Sequence, residues 1–442
     1  MISERIRNMQ AQVNALNDAG VRRTNFYPLA YESLKTTRGQ SVQLRRAQAQ
    51  AHILNHAPLA VHPHELIVGS MTDYSPVSET VLTKEQQRAK AHEIMDGYLA
   101  KKRGEAAAER DRTTIKTFET EFTTRKSRWA LMSRVYHDAC ITYPELQEMI
   151  AEMKRDYADE PDLEPYEFGR ELERGFKISY GAEVKAEIDA LPWFAANHLS
   201  LNYGRIMNTG FAALIADLEK RMAGCAAEQK EYYECALLVA RAASGMIARY
   251  AARVREEADG ADALRRAELE EMAAILDRIA TEPARSFREG VQFVWLLHIM
   301  ASFLWGSALS FGRFDQYMRD LYEQDIVSGA LSREEAEELL CCLWLKINEP
   351  CLRTVQSMTL GGITPEGEDA VNSLTWLCLD VVEEMKLPYP NVGVRVHALN
   401  PPDFTARIAK SISAGAGQPM IMTDSLWIAN LKKAGLCRLL RQ

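Results

Sequence analysis

Three short stretches rich in apolar and β-branched residues decide the fold of the last part of the chain. They read SMTLGG at residues 357–362, NVGVRVH at 391–397 and MIMT at 420–423. The residues between them carry the apolar spacing of helices, so strands alternate with helices from residue 357 onward. Such alternation predicts a parallel sheet whose faces are covered by helices. The predicted fold class of this region is therefore α/β, in the order βαβαβα.

The helices around these strands have recognisable boundaries. Ser332 and Glu335 form the S-x-x-E pattern of a capping box, and an apolar stripe follows at Ala336, Leu339, Leu340, Leu343 and Ile347. We predict one helix from here to residues 349–350 and a second over residues 369–386, before Pro388. A third is predicted from Pro402 to about residue 414, and a fourth from Asp424.

Upstream of this region the chain is predicted to be mainly helical. Residues 214–258 and 261–280, for example, are rich in Ala, Glu, Arg and Leu, which are good helix formers. We therefore divide the chain into a mainly helical region, residues 1–280, and a region of βα units, residues 281–442. Loop-like boundaries are favoured at residues 71–76 and 159–165.

The predicted sheet has an open edge. The sequence predicts only three strands. No further strand is predicted between the last helix, which begins at Asp424, and residue 442. An apolar strand edge promotes aggregation unless another strand or segment covers it. The sequence therefore predicts that another segment or another chain completes the sheet.

The composition excludes several classes of protein. The chain has 442 residues, with 53 Lys and Arg against 61 Asp and Glu, a net charge of −8, and 47% hydrophobic residues. These values exclude a disordered, collagen-like or small disulfide-rich protein. The negative charge speaks against nucleic-acid binding, which requires a basic surface. Small molecules or proteins are the expected partners.

The cellular location is predicted from the cysteines and the N-terminus. The eight cysteines form no C-x-x-C pair and the N-terminus has no apolar signal core, so we expect a cytoplasmic protein. Residues 290–312 lack Asp, Glu, Lys and Arg and are long enough to cross a bilayer. Polar residues interrupt this stretch and its flanks lack interfacial anchors, so a buried helix running into a loop is predicted, and no membrane span.

Several local patterns fit a structural role better than a ligand site. GGITPEGEDA at residues 361–370 lacks the phosphate-binding motifs and carries acidic residues, so a strand-to-helix turn is predicted. His62 and His64 have no nearby third ligand. Cys341 and Cys342 project in different directions from one helix and are predicted to belong to the core. No metal site is predicted.

Five longer segments occur in an order and at a spacing that match a known family. They are ARSFREGVQFVWLLH (284–298), the block at 306–350 that begins GSALSFGRFDQYM, MTLGGITPEGEDAVNSL (358–374), LPYPNVGVRVH (387–397) and GAGQPMIMTD (415–424). On these segments the chain resembles the glycyl radical enzymes, the pyruvate formate-lyase family, and the dehydratase and lyase branch more than pyruvate formate-lyase itself. RRAQAQAHIL (45–54) and HELIVG (64–69) are similar to the family's helical N-terminal region. The resemblance covers residues 1–442 as a partial domain.

The resemblance implies a ten-stranded α/β barrel wrapped by helices, of which this chain forms a part that is truncated before closure. In that family one buried loop carries a cysteine, and a C-terminal loop carries a glycine on which a separate radical-SAM activating enzyme installs a radical. The radical passes to the cysteine as a thiyl, which takes a hydrogen atom from the substrate. A closed barrel keeps the carbon radical from water and oxygen. No directly bound cofactor is implied, and a homodimer is expected.

The sequence departs from the family at both radical loops. A Gly-Cys-Val-Glu type loop and an Arg-Val-Ala-Gly-Tyr type loop have no counterpart, and Cys437 in CRLLRQ lacks the expected neighbours. We therefore assign no catalytic residue and expect the chain alone to be inactive. A second interpretation stays open, in which the chain is a non-catalytic remnant or a scaffold of the same fold that binds a partner.

Two segments are similar to segments that line the substrate pocket in the family's lyases. Residues 197–203 include His198 and Asn202, and residues 305–310 include Ser307 and Ser310. The resemblance implies that these four side chains hydrogen-bond a small polar substrate and orient it. The reactions left open are dehydration of a diol or hydroxyproline, cleavage of choline or isethionate, and arylacetate decarboxylation.

Overall fold

The computed structural model forms two compact units. One consists of Met1–Asn14, Leu29–Asp73 and Leu191–Gln442, and the other of Ala15–Pro28 and Tyr74–Ala190. The division after Asp73 lies within the boundary range predicted at residues 71–76, whereas the division at residue 280 stays a prediction. The structure describes residues 2–18, 27–70, 83–108, 143–164, 167–169, 171–172, 196–197, 199–303, 306–349, 356–415 and 417–434.

The described residues up to position 303 are mainly helical, as predicted. Their helices are α1 (Glu4–Asp18), α2 (Tyr27–Thr36), α3 (Val42–His56), α4 (Lys84–Ala108), α5 (Tyr143–Asp156), α6 (Tyr203–Thr209), α7 (Phe211–Ala223), α8 (Ala227–Asp259), α9 (Ala263–Ile279) and α10 (Phe287–Ser302). A short strand, β1 (Ala196–Asn197), precedes α6. The helical stretch at 214–258 is divided between α7 and α8 because the chain turns at Gly224, which caps α7.

α10 confirms that residues 290–302 belong to a buried helix, but residues 306–307 form a short strand where a loop was predicted. The Ser286 hydroxyl accepts a hydrogen bond from the backbone N–H of Glu289 at 3.2 Å and so caps the helix. Nearly all of its residues are buried, from Phe287 to Ser302. Among the described residues one helix, α8, is long and apolar enough by composition to cross a membrane. Its apolar face packs against α3 and α9, as a core helix does.

The C-terminal region has the predicted order of strands and helices. Its elements are β2 (Gly306–Ser307), α11 (Phe314–Tyr317), α12 (Arg319–Ser328), α13 (Arg333–Ile347), β3 (Ser357–Gly361), α14 (Ser373–Met385), β4 (Asn391–Val396), α15 (Pro402–Ser413), β5 (Met420–Thr423) and α16 (Asp424–Lys433). The capping box is confirmed: the Ser332 hydroxyl accepts from the N–H of Glu335, and the Glu335 carboxylate accepts from the N–H of Ser332.

α14 begins later than residue 369, the start predicted from its apolar spacing. The Asn372 side chain accepts hydrogen bonds from the N–H groups of Leu374 and Thr375, at 3.0 and 3.1 Å, and so sets the first turn. The preceding residues form a turn instead, closed by an antiparallel bridge between Ile363 and Asp369. The prediction of a strand-to-helix turn after β3 is thus correct, but the turn extends to Asn372.

The strands form a parallel array that is larger than the three predicted strands. β3, β4 and β5 pair in parallel in that order, and β1 pairs in parallel with β2. Isolated parallel bridges join Ser200 to Ser310 and Gly312 to Met358, which connects the two sheets. Five segments therefore lie side by side in chain order: β1 with residues 199–200, residues 306–312, β3, β4 and β5.

The two faces of β3 and β4 differ in burial. Met358, Leu360, Val392 and Val394 are buried, whereas Ser357, Thr359, Asn391 and Arg395 on the other face are partly exposed. β5 lies at the edge of the array, where Met420 is 57% and Ile421 53% exposed. Within the described residues this edge is thus apolar and uncovered.

In the second unit α4 and α5 pack on each other. A core cluster connects the two helices with residues 168–172 and consists of Ala91, Met95, Met149, Met153, Phe168 and Leu172. Lys102 pairs with the nearly buried carboxylate of Glu167 at 2.9 Å. The predicted substrate residues do not belong to this unit.

Candidate substrate site

The two segments predicted to line a substrate pocket lie next to each other in the sheet. β1 pairs with β2 so that Asn197 faces Ser307, and further along the chain Ser200 bridges Ser310. The backbone N–H of Ser310 donates to the carbonyl of Leu199 at 2.7 Å. Side chains at corresponding positions of adjacent parallel strands are neighbours, so the pairing brings the two predicted segments to one place.

The four predicted site residues differ in how far the structure describes them. His198 lies outside the described residues, and Ser307 is placed by its backbone in β2 while its side chain lies outside the described part. Asn202 is exposed, and its Oδ1 accepts from the N–H of Arg205 at 3.2 Å, which makes it the N-cap of α6. Ser310 is half-buried. Their role in substrate binding stays a prediction.

A buried hydrogen-bonded chain, Tyr203–His298–Gln356, lies beside these segments. The Tyr203 hydroxyl is 2.8 Å from His298 Nδ1, and His298 Nε2 contacts Gln356 Oε1. All three residues are at most 3% exposed. The His298 ring stacks on Phe311, with ring centroids 4.0 Å apart and planes 7° from parallel. These hydrogen bonds thus join residues that flank three neighbouring strands of the array.

The protonation states in this chain follow from its partners. Burial lowers the pKa of His298 to about 4 and raises the pKa of Tyr203. The Gln356 carbonyl oxygen can only accept, so we place the imidazole proton on Nε2, and Nδ1 then accepts from the Tyr203 hydroxyl. The neutral histidine therefore uses both ring nitrogens and brings no charge into the core.

His298 is expected to make the protein less stable in mild acid. A histidine whose pKa is lowered by folding contributes stability above its unfolded pKa of about 6.5, and this stability is lost as the pH falls toward 4. At pH 5 the loss is roughly 2 kcal/mol of unfolding free energy. Urea denaturation of the wild type and of His298→Gln at pH 7 and pH 5 measures it.

The control is exposed His56, which lies at the end of α3. His56→Gln is expected to keep the wild-type loss between pH 7 and pH 5, whereas His298→Gln is expected to lose stability at pH 7 but to show a smaller decline toward pH 5. An unchanged decline in His298→Gln would contradict the assignment of a neutral, buried imidazole.

Sequence reasoning missed this chain of residues. In the sequence, His298 is one polar residue within the apolar stretch 290–312, and no motif marks Tyr203 or Gln356 as its partner. A signal was present, because a titratable residue inside a buried apolar helix needs a hydrogen-bond partner. The identity of the partners could not be predicted, since Tyr203 and Gln356 lie 95 and 58 residues away from His298.

Charged side chains gather at the carboxyl ends of β3, β4 and β5. Arg395 Nε donates to Asp424 Oδ1 at 2.7 Å, and Asp424 Oδ2 accepts from the N–H of Ile363 at 3.1 Å. Arg313 donates to the carbonyl of Gly361 at 2.7 Å. Ligand-binding loops of α/β proteins commonly lie at the carboxyl ends of parallel strands. Here the charged groups fix the loop that follows β3.

Asp315 adds a buried carboxyl group to this region. Its Oδ2 accepts from the N–H of Gly361 at 2.7 Å and from the Thr375 hydroxyl at 2.6 Å, and Oδ1 has no partner among the described residues. Burial raises the pKa of Asp315. The carboxyl group joins α11, the end of β3 and the first turn of α14, so its evident role is to hold these elements together.

The other candidate ligands have structural surroundings. His62 is buried, its Nδ1 accepts from the N–H of His64 at 3.2 Å, and burial together with Lys346 lowers its pKa to about 3. Cys341 and Cys342 are buried core residues, as predicted, and burial raises the pKa of the Cys342 thiol to about 12. Cys437 lies outside the described residues. In the described part of the chain no group of three or more His, Cys, Asp or Glu could hold a metal ion.

A buried ionic cluster, also missed from the sequence, joins residues 62–70 to the end of α13. The Lys346 ammonium lies 2.7 Å from Glu65 Oε2 and 2.6 Å from Glu349 Oε1, and the Ser70 hydroxyl donates to Glu349 at 2.7 Å. The side chains of Lys346, Glu65 and Glu349 are at most 2% exposed. We call Glu65, Ser70, Lys346 and Glu349 the Lys346 cluster. The Lys346 ammonium thus contacts two carboxyl groups, and burial raises the pKa of Glu65 to about 7.

Fold and site together define a class of protein. The parallel strands follow the chain order, one face of β3 and β4 is buried, and two segments with small polar residues are paired at the start of the array. The class is a helix-wrapped parallel α/β fold with a candidate small-molecule site on its first two strands. The chain belongs to the Pyruvate formate lyase-like family, which matches residues 2–440.

Relatives with known activity support the resemblance to glycyl radical enzymes. The chain is 27% identical to the isethionate sulfite-lyase of Nitratidesulfovibrio vulgaris over 432 residues, which cover 89% of this chain and 47% of that protein. It is 31% identical to the trans-4-hydroxy-L-proline dehydratase of Clostridioides difficile over 205 residues, 42% of this chain and 26% of that protein. The recognition of the family from sequence is confirmed.

A solved structure supports the fold. The B12-independent glycerol dehydratase of Clostridium butyricum, in its glycerol-bound form, matches with a TM-score of 0.69 and 24% identity, over 98% of this chain and 52% of that one. The fold is therefore that of the glycyl radical enzymes, as predicted. The chain spans about half the length of the relatives that it matches over most of its own length.

Proposed function

We propose that this chain forms the substrate-holding part of a glycyl radical lyase, which cleaves a C–O, C–N, C–S or C–C bond in a small polar substrate. The observation that carries the proposal is the parallel pairing of β1 with β2 and of Ser200 with Ser310 at the start of the array. These are the segments that the resemblance assigns to the pocket wall. The relatives named above act on isethionate and trans-4-hydroxy-L-proline, which are small and polar.

The chain's own residues bind and orient the substrate in this proposal. His198, Asn202, Ser307 and Ser310 supply hydrogen bonds to its polar groups. The neutral Tyr203–His298–Gln356 chain supports the two strands from behind without placing a charge there. Fixing the substrate in one orientation exposes one of its C–H bonds and reduces the entropy lost on the way to the transition state.

The radical comes from outside these 442 residues in this proposal, since neither radical loop has a counterpart among them. A glycyl radical, installed by a radical-SAM activating enzyme, supplies hydrogen abstraction through a cysteine thiyl. The exposed apolar edge at β5, with Met420 and Ile421, is consistent with further strands that pair there. We further propose that the chain alone is inactive and that the protein is a cytoplasmic homodimer.

Substrate binding by the chain tests the first part of the proposal. We expect at least one of isethionate, glycerol and trans-4-hydroxy-L-proline to bind, as measured by saturation-transfer NMR. Ser310→Ala is expected to weaken that binding by about 2- to 10-fold, the value of one hydrogen bond. Ser413→Ala is the matched control, because Ser413 is an exposed serine on α15 whose hydroxyl bonds the backbone within its own helix.

Turnover tests the second part. The chain treated with an activating enzyme is expected to give neither a glycyl radical signal in electron paramagnetic resonance nor product. Addition of a polypeptide that carries the two radical loops is expected to restore both. A radical signal from the chain alone would overturn the assignment of the radical loops to other residues. Failure of all three compounds to bind would favour the alternative of a scaffold.

A further inference from the structure

Four small polar side chains lie side by side across the first four segments of the array. Ser200 and Ser310 are partners in a parallel bridge, so their side chains are neighbours on one face. Ser357 pairs with Asn391 in the register of β3 and β4. We call Ser200, Ser310, Ser357 and Asn391 the polar row. Ser310 is one of the predicted substrate residues, and the resemblance to a family assigns no role to the other three.

The second and third segments are joined by an irregular pairing. The Phe311 N–H donates to the Ser357 carbonyl at 2.7 Å, and the Gly312 carbonyl accepts from the N–H of Thr359 at 2.8 Å. Phe311 and Gly312 thus stand together opposite Met358, as two residues opposite one do in a β-bulge. The bulge changes the register by one residue between these two segments.

The bulge places Ser310 and Ser357 on the same face. Phe311 and Met358 are fully buried, whereas Ser310 and Ser357, which precede them, are partly exposed. Successive side chains of a strand point to opposite faces, so the two serines share the exposed face. Since neighbouring strands are about 4.8 Å apart, the polar row presents one polar group at about this spacing on each of four segments.

The side chains of the polar row have unused hydrogen-bonding capacity. Among the described residues, the hydroxyls of Ser310 and Ser357 and the side-chain amide of Asn391 have no hydrogen-bond partner. The Ser200 hydroxyl makes one long contact, at 3.5 Å, with the Leu201 carbonyl. All four residues are at least partly exposed. Their polar groups can therefore donate to and accept from a ligand without breaking a bond of the fold.

The polar row carries no charge. The first charged residue of β4 after Asn391 is Arg395, which lies about 13 Å further along the strand at ~3.3 Å per residue. Arg395 is also paired with Asp424, at 2.7 Å. A carboxylate or sulfonate bound at the row would lack a cationic partner on these strands, so its desolvation would be costly. An uncharged hydroxyl group matches serine and asparagine, because each of these groups both donates and accepts.

We propose that Ser200, Ser357 and Asn391 are further substrate-binding residues, which together with Ser310 bind the hydroxyl groups of an uncharged polyol. Neighbouring members of the polar row each bond one hydroxyl group, so a compound with two adjacent hydroxyl groups bridges two strands. This inference rests on the proposed function, because it extends the same site and names the class of its substrate. Of the bonds considered there, a polyol substrate selects C–O.

Saturation-transfer NMR of the full chain with glycerol, 1-propanol and isethionate tests the inference. We expect glycerol to bind at least about 5-fold more tightly than 1-propanol, which has a single hydroxyl group, and than isethionate, which is charged. Ser200→Ala and Ser357→Ala are each expected to weaken glycerol binding by about 2- to 10-fold, the value of one hydrogen bond. Ser413→Ala is the matched control, because this exposed serine of α15 lies outside the polar row.

Gly312→Ala tests the position of the Ser200 hydroxyl without removing it. A Cβ atom at Gly312 would lie 2.7 Å from Ser200 Oγ, so the hydroxyl would have to move. Gly312→Ala is expected to weaken glycerol binding about as much as Ser200→Ala, and the double variant is expected to bind no more weakly than Ser200→Ala. Thermal unfolding establishes which variants fold, and the serine variants test the inference even where Gly312→Ala does not fold.

The outcomes separate this inference from the proposed function. Glycerol binding that is weakened in Ser310→Ala but unchanged in folded Ser200→Ala and Ser357→Ala would overturn the inference and leave the proposed function in place. Tighter binding of isethionate than of glycerol would also overturn the inference alone, because the substrate would then be an anion. Failure of all three compounds to bind would contradict the proposed function, and the inference with it.

Discussion

Replacement of Lys346 by methionine is expected to lower the free energy of unfolding by about 3–5 kcal/mol. The ammonium group is the cation that the carboxyl groups of Glu65 and Glu349 share, at 2.7 and 2.6 Å. Both carboxyl groups are at most 2% exposed, so water cannot replace the lost partner. Chemical denaturation at pH 8 measures the loss, which is of the size expected when a buried charge is left uncompensated.

Two comparisons identify the cause of this loss. Lys410→Met removes a lysine that is 71% exposed and 3.6 Å from Glu383, and is expected to change stability by less than about 0.5 kcal/mol. Adding Glu65→Gln and Glu349→Gln to Lys346→Met removes the two carboxylate charges that Lys346 offsets in the wild type and is expected to recover most of the loss. A triple variant as unstable as Lys346→Met would show that packing, and not charge, is responsible.

The loss of stability in Lys346→Met is also expected to depend on pH. Burial raises the pKa of Glu65 to about 7, and a carboxyl group whose pKa is raised by folding contributes stability below its unfolded pKa that is lost as the pH rises toward 7. Loss of Lys346 removes a charge that opposes this rise. The deficit of Lys346→Met is therefore expected to be smaller at pH 5 than at pH 8.

Replacement of Gly210 by alanine is expected to lower the free energy of unfolding by about 3–5 kcal/mol. Gly210 joins α6 to α7 with φ 74° and ψ 159°, a conformation that is almost confined to glycine. A Cβ atom there would lie 2.6 Å from backbone atoms of Glu282 and Pro283. Backbone atoms cannot move aside as a side chain can, so the contact adds to the strain. Urea denaturation measures the loss.

Gly329 provides a matched control for this variant. It also has φ 74°, at the end of α12, but no atom lies within 4 Å of the position of an added Cβ. Gly329→Ala is expected to lose only about 1–2 kcal/mol, the penalty of a left-handed conformation. Similar losses in the two variants would show that the contact with residues 282–283 is unimportant.

The part of the fold that follows residue 330 could be predicted because its signals are local. The capping box at Ser332, the strands β3 to β5 and the helix boundaries at Pro388 and Pro402 each depend on residues close together in the chain. The predicted start of α14 was wrong. The apolar spacing of this helix continues back through Ala370, whereas the N-cap at Asn372 determines the first turn. The segments at 196–200 and 306–312 are too short to show a strand pattern, so their pairing could not be predicted from periodicity.

The residues of the candidate site could be predicted only from the resemblance to a family, and only some of them were predicted. His198, Asn202, Ser307 and Ser310 were selected because their segments are similar to pocket segments of a family, and no feature of composition singles them out. The Tyr203–His298–Gln356 chain and the Lys346 cluster depend on contacts between residues far apart in sequence. A single sequence shows that a buried histidine or lysine needs a partner but does not identify that partner.

The order of the parallel array has a consequence for biosynthesis. After the first, each segment of the array lies beside the segment that precedes it in the chain. The ribosome delivers the N-terminal part of a protein first, and early parts can fold before later ones emerge. Each strand of the array after the first therefore leaves the exit tunnel when its preceding neighbour has already been synthesised. Translation and assembly of the sheet can thus proceed in the same direction.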